Sequence, residues 1–323
     1  MIQGLCSTAR IAALVQFCAI GIAFQASSEV QIVPRARPAA TASDPVLRVD
    51  SSLVLIPVHV TAASGAAVTG LKKEDFRLFE DGVLQSITHF AQDDAPISAG
   101  VLLDISGSMK NKMLVASEAA TSFFQFANPE DEFFLVEFNA RPKLKIPFTH
   151  DWPEITKEIA RAKPSGWTAM LDAIHLALAQ MKNARHTRKA LVILSDGGDN
   201  FSRRNLAQLR ATLIEADVQV YAMGVFDRNY SMKHTAEERN GPKLLDQVAL
   251  DTGGHDFPIG SVDDLPAIGG QIARELRNQY ILGYTPPALT PDGKFHRVNL
   301  QLVPLHSGNV RTYYRRGYYA PTQ

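Results

Sequence analysis

Asp104, Ser106 and Ser108 stand at alternate positions behind the apolar run Val101–Leu103, with Gly107 between the two serines. A strand that stops at Asp104 and turns at once aims one carboxylate and two hydroxyls at a common point. Oxygen donors of this kind suit hard divalent cations, and Mg2+ takes them at about 2.0–2.1 Å. Serine and glycine fill turns of every sort, so this turn alone specifies little. Two later stretches offer more oxygens in a comparable setting. Thr168 follows Gly166 and Trp167 where a helical pattern opens, and Asp196 ends a second apolar run, Leu191–Leu194, ahead of Gly197 and Gly198.

The ordered set Asp104, Ser106, Ser108, Thr168 and Asp196 resembles the metal-ion-dependent adhesion site of von Willebrand factor type A domains. The resemblance implies that Ser106, Ser108 and Thr168 supply hydroxyls and that Asp104 and Asp196 supply carboxylates, directly or through water. It implies Mg2+ as the cation, with Mn2+ or Ca2+ as substitutes. It also implies a partner protein that offers an acidic side chain to the metal. Asp199, Asn200 and Ser202 lie just beyond Asp196 and are placed to hydrogen-bond around the ligands. For Asn200 and Ser202, capping of the following helix is the expected role. Trp167 either flanks the metal face as a partner contact or packs into the fold.

These residues need a scaffold, and from Ser98 the chain alternates strand and helix. One helix carries Met113, Ala116, Ala120, Phe123 and Ala127 on a single face, and Glu132–Phe138 is the next strand. Lys143–Phe148 alternates around Pro147, which suits an edge strand. A helix with Met170, Ile174, Ala177 and Met181 follows, then a strand over 190–195 and a helix with Leu206, Leu209, Leu213 and Ala216. Val218–Val225 is a strand, Pro242–Leu250 a helix, His255–Phe257 a short strand, and Ile268, Ile272 and Leu276 mark a closing helix. Such alternation predicts an α/β fold, a doubly wound and mostly parallel sheet covered on both faces. Ligands of such sheets bind beyond the carboxyl ends of the strands, where Asp104 and Asp196 fall.

The flanks read differently. Leu53–Val60, Asp75–Gly82 and Gln85–Phe90 are short strands of period two, and so are Tyr280–Tyr284, Arg297–Val303 and Val310–Tyr314. Neither flank holds enough strands for two sheets, so one small β-sandwich completed by both flanks is expected. The resulting plan is a signal peptide over 1–26, a Pro- and Ala-rich linker over 27–45, and a β segment over 46–96. The von Willebrand factor A-like domain follows over 97–277, and a second β segment over 278–323 pairs with the first. Val68–Leu71, Asp75-Phe76, Glu80–Gly82 and Arg316–Tyr319 extend the resemblance to bacterial von Willebrand factor A-related proteins of acidobacterial type.

Composition narrows the function. The chain has 323 residues, 46% hydrophobic and 20% charged, which fits a folded protein rather than a disordered one. Lysine and arginine number 33, as do aspartate and glutamate, so the basic footprint of a nucleic-acid binder is missing. Arg10 precedes the apolar stretch Ile11–Phe24, too short to span a bilayer and followed by small residues, as in a secretory signal. Val15–Phe17 before Cys18 lack the small residue of a lipoprotein signal, so no lipid anchor is expected. Cys6 and Cys18 both lie within the expected signal peptide over 1–26, so removing it leaves a chain without cysteine.

The expectation is an exported protein, periplasmic or secreted, that binds another protein through a metal. Its oligomeric state is left open. A structural or assembly scaffold with an idle metal site is the alternative. A metal-dependent hydrolase is less favoured: no G-x-S-x-G, H-E-x-x-H or phosphate loop is present, and no histidine neighbours the ligand turns. His175, on the helix after Thr168, reads as a packed or surface residue. The long polar segment Asp227–Asn240 is expected near the metal face.

Overall fold

The computed structural model describes residues 53–225, 239–259, 264–286, 293–303 and 310–320. The expected signal peptide, the linker and nearly all of the polar segment Asp227–Asn240 lie outside them. The described residues belong to one compact unit, Asp50–Gln323.

At its centre is a six-stranded sheet. It is built from β5 (Ile97–Asp104), β6 (Glu132–Phe138), β7 (Lys143–Thr149), β8 (Arg188–Ser195), β9 (Gln219–Val225) and β10 (Asp256–Ile259). The order is β10-β9-β8-β5-β6-β7. All pairs are parallel except β6–β7. β7, which carries Pro147, is the edge strand its proline predicted, since an edge spares it one ladder of hydrogen bonds. β5 is apolar on both faces. Ile97, Ala99, Val101 and Leu103 join one core cluster, and Leu102 joins the other.

The first face is covered by α1 (Met113–Phe124), α2 (Trp152–Arg161) and α6 (Leu265–Arg277), through Phe123, Ile155 and Ile272. The second is covered by α3 (Met170–Met181), α4 (Leu206–Glu215) and α5 (Gly241–Asp251), through Ile174, Leu213 and Leu245. This is the doubly wound α/β fold that the alternation predicted. Helix α2 was not foreseen. Its apolar signal is two residues, Ile155 and Ile159, four apart, and Asp151 caps it by accepting from the Glu154 N–H at 3.3 Å.

Two smaller antiparallel sheets combine both ends of the described chain. One has the order β13-β1-β11-β4, from β1 (Val54–Ala62), β4 (His89–Asp93), β11 (Gln279–Tyr284) and β13 (Val310–Tyr314). The other has the order β14-β12-β2-β3, from β2 (Phe76–Glu80), β3 (Val83–Gln85), β12 (Phe295–Leu302) and β14 (Gly317–Tyr319). Strand β14 was read from sequence only as part of a motif. The two sheets share a core that includes Ile56, Val58, Leu78, Tyr280, Leu282 and Val298. Asp81 (φ 48°) and Gly82 (φ 85°) form the β2–β3 turn, both left-handed as a primed hairpin turn requires. The α/β unit leaves from β4 and returns through β11, whose ends pair at Asp93 and Gln279. The fold class is therefore a doubly wound α/β unit inserted in a small β-sandwich.

Candidate metal centre

Strands β5 and β8 lie side by side in parallel, with Leu103 opposite Leu194. From β5 the chain moves outward one way to β6 and β7, then returns to build β8, β9 and β10 on the other side. The crevice above β5 and β8 is thus the switch point at which strand order reverses, the usual place for a ligand in such sheets. Asp104 ends β5, and Asp196 follows the last residue of β8. Both carboxylates are fully buried.

The turn after Asp104 is fixed by its own chain. The Ser106 N–H donates to Asp104 Oδ1 at 2.8 Å, and the Ser106 and Ser108 hydroxyl oxygens lie 3.0 Å apart. The turn is also tied to the loop that bears Thr168: the Gly107 N–H donates to the Gly166 carbonyl at 3.0 Å, and the Ser165 N–H to the Ile105 carbonyl at 2.8 Å. Thr168 itself is buried two residues ahead of α3. Its carbonyl accepts the N–H groups of Asn200 and Phe201 at 3.0 and 2.9 Å, and its own N–H donates to Asn200 Oδ1 at 2.9 Å. Backbone hydrogen bonds therefore stitch the three loops bearing Asp104, Thr168 and Asp196 together.

The capping expected of Asn200 and Ser202 is corrected by these contacts. Asn200 clamps Thr168, and Ser202 Oγ accepts the Asp172 N–H in the first turn of α3 at 3.2 Å. Helix α4 starts later and is capped by Asn205, which accepts from the Gln208 N–H at 2.9 Å. Trp167 does not pack inside; its side chain is 61% exposed. The backbone that follows Asp196 comes so close to α5 that a Cβ on Gly197 (φ +78°) would meet the Gly241 carbonyl at 2.4 Å. Only glycine fits there, for reasons of both space and φ.

Two residues of the site were not foreseen. Ser195 is fully buried, donates its hydroxyl to Asp104 Oδ2 at 2.6 Å and accepts the Gly197 N–H at 2.9 Å. The Lys112 ammonium sits 2.6 Å from Asp196 Oδ2. No spacing rule signals that pair, because its members are 84 residues apart. Ser195, by contrast, was visible as the residue opposite Asp104 once β5 and β8 were taken as neighbours.

Burial, and next the charge of Asp196, push the Asp104 carboxyl up to about 7, against the hydrogen bonds of Ser195 and Ser106. Two buried carboxylates that repel each other, beside two adjacent hydroxyls, form a donor set that a divalent cation would neutralise. The residues fit the ion that the resemblance implies. A second group of possible metal ligands, Glu80, Asp81 and His296, has its atoms within 4.8 Å of one another in the sandwich. There the His296 Nδ1 lies 2.9 Å from Asp81 and 3.3 Å from Glu80, and it joins the two carboxylates within the chain itself.

Residues 101–198 match the family model of the von Willebrand factor type A domain, a span that runs from inside β5 to just beyond Asp196. No curated protein matches the chain. Among solved structures, it is similar to a von Willebrand factor type A protein from Catenulispora acidiphila at 14% identity, covering 77% of this chain and 73% of that one, with a TM-score of 0.49. An aerotolerance-related membrane protein from Bacteroides fragilis aligns at 17% identity over 56% of this chain and 98% of its own, with a TM-score of 0.46. The von Willebrand domain of the pilus tip protein Mfa5 from Porphyromonas gingivalis aligns at 14% identity over 56% and 95%, with a TM-score of 0.42. The family-model match spans both buried carboxylates, so it is residues 101–198, at the centre of the sheet described, that are similar to a von Willebrand factor type A domain.

Proposed function

We propose that the chain is an exported, non-enzymatic protein-binding module whose partner is held through a divalent cation. Asp104, Ser106, Ser108, Thr168 and Asp196 hold Mg2+, or Mn2+ or Ca2+ in its place. A carboxylate from the partner completes the coordination. The observation that carries this reading is the pair Asp104 and Asp196, fully buried side by side at the switch point, with the carboxyl of Asp104 driven up to about 7. Two like charges buried together destabilise a fold unless enough positive charge joins them.

The test is a pull-down from an envelope fraction with the full chain as bait, alongside calorimetric titration with MgCl2. A partner is expected in Mg2+, with loss of it in EDTA and in Asp104→Ala. Retention under both conditions refutes the metal bridge. The Lys112 ammonium on Asp196 favours a second reading, a scaffold whose metal site stands idle because its own lysine supplies the positive charge. That reading expects stable assemblies and no calorimetric signal with MgCl2.

A further inference from the structure

The chemistry around the site selects a narrower partner than an acidic one. Among the described residues between Ile97 and Arg277, four large apolar side chains are exposed: Leu114, Phe126, Trp167 and Phe201. Phe126 is covered by the Arg274 guanidinium, 5.7 Å from its ring centre. Trp167 and Phe201 border the candidate metal centre. Trp167, 61% exposed, immediately precedes Thr168. Phe201, 48% exposed, hangs from a backbone N–H that donates to the Thr168 carbonyl at 2.9 Å.

Charge in the same loops has one sign. Across 105–112, 164–169 and 197–205 the exposed charged residues are Lys110, Arg203 and Arg204, and no aspartate or glutamate there is exposed. Asp172 draws the Arg203 and Arg204 backbone N–H groups to itself at 3.1 and 3.2 Å, leaving both guanidinium groups outside. An aromatic border with a basic rim would be costly to leave in water for no purpose. Trp and Arg are also the residues that most often dominate protein interfaces.

We propose that Trp167 and Phe201 form an apolar collar that selects a partner segment in which one acidic side chain is flanked by large apolar residues. The acid faces the cation and the basic rim, and its apolar neighbours lie on the collar. This rests on the metal-bridged reading above, and the experiment separates the two.

Fluorescein-labelled five-residue peptides are titrated with the full chain and followed by anisotropy. One has aspartate between two leucines, one has aspartate between two glycines, and one has asparagine between two leucines. In Mg2+ the leucine-flanked aspartate peptide is expected to bind about tenfold tighter than the glycine-flanked one, a fraction of what full burial of two leucines supplies. The asparagine peptide is expected not to bind. The double variant Trp167→Ser and Phe201→Ser keeps its calorimetric Mg2+ affinity and loses the preference for leucine. Equal binding of the two aspartate peptides, or a preference that survives in the double variant, overturns the collar. Peptide binding that persists in EDTA overturns the metal-bridged reading instead. A basic and aromatic surface also suits an anionic membrane. Sedimentation with phosphatidylglycerol vesicles in EDTA, if it depends on Trp167 and Phe201, overturns the peptide proposal in favour of lipid.

Discussion

Asp104 and Glu275 are both sealed from solvent, and their surroundings treat them in opposite ways. Glu275 lies on α6 where the α/β unit meets the sandwich. His255 Nε2 approaches one of its oxygens at 2.9 Å, while Gln271 donates to the other at 2.9 Å and His59 Nε2 stands 3.6 Å from it. Burial pushes the carboxyl up, but the hydrogen bond with His255 and the nearness of His59 outweigh it and hold the group at about 2. Asp131, next to β6, is likewise buried and compensated, by Arg277 and by the N–H groups of Ile97 and Asn128 at 3.0 and 2.7 Å. At the opposite rim Asp104 is driven the other way, to about 7, by burial and then by Asp196. The chain supplies hydrogen-bonding and basic partners to the carboxylates that join its parts. At the switch point it sets two carboxylates together with one lysine. The difference distinguishes charges used for architecture from charges held ready for something else.

The largest effect should come from cutting the compensated region. Glu275→Gln is expected to cost roughly 1.5–3 kcal/mol in urea unfolding, the range for hydrogen bonds to a charged group. Asp104→Asn, measured in EDTA at neutral pH, is expected to leave stability equal or higher, because it removes a repelled buried charge. If the two variants lose the same amount, the contrast between the regions collapses. Next in size, Lys112→Met should tighten Mg2+ by about tenfold in calorimetry, since the ion no longer displaces an ammonium from Asp196. An unchanged or weakened affinity would mean that lysine and metal do not compete.

The acid limb sharpens the comparison further. The Glu275 carboxyl is held below its ordinary 4.5, so its stabilisation is present above that value and is lost as pH falls toward about 2. The stability gap between wild type and Glu275→Gln should therefore close between about pH 4.5 and 2. A gap that stays constant down to the lower limit would assign the Glu275 effect to packing rather than charge. The smallest change concerns the clamp on the site. Asn200→Ala removes one hydrogen bond to the Thr168 N–H and should cost about 1 kcal/mol of stability. It should also weaken Mg2+ binding, though less than Asp104→Ala does.

Much of this was legible before any coordinates. The periodicity of Ala116, Ala120 and Phe123, the doubly apolar β5 and the Asp-Gly turn at Asp81 each express a preference of a few adjacent residues, and such local rules act wherever the chain goes. The strand–helix alternation set the sheet type, and the sheet type set where Asp104 and Asp196 had to lie. Helix α2 was hidden because two isoleucines four apart make a weak pattern. Asn200 and Ser202 were misassigned because a polar residue before a helix has the composition of a cap, whether it caps that helix or binds something across the crevice.

The sequence by itself determined most of the elements, their order and the placing of Asp104 and Asp196 at strand ends, because spacing along the chain dictates which side chains share a face and where a strand must turn. Only the tertiary structure decided that Lys112 reaches Asp196, that Ser195 holds Asp104, and that His59, His255 and Glu275 meet at one junction. Those contacts join residues up to 216 positions apart, as Glu275 to His59. No local preference encodes them; they exist only once the packed sheet brings the segments together.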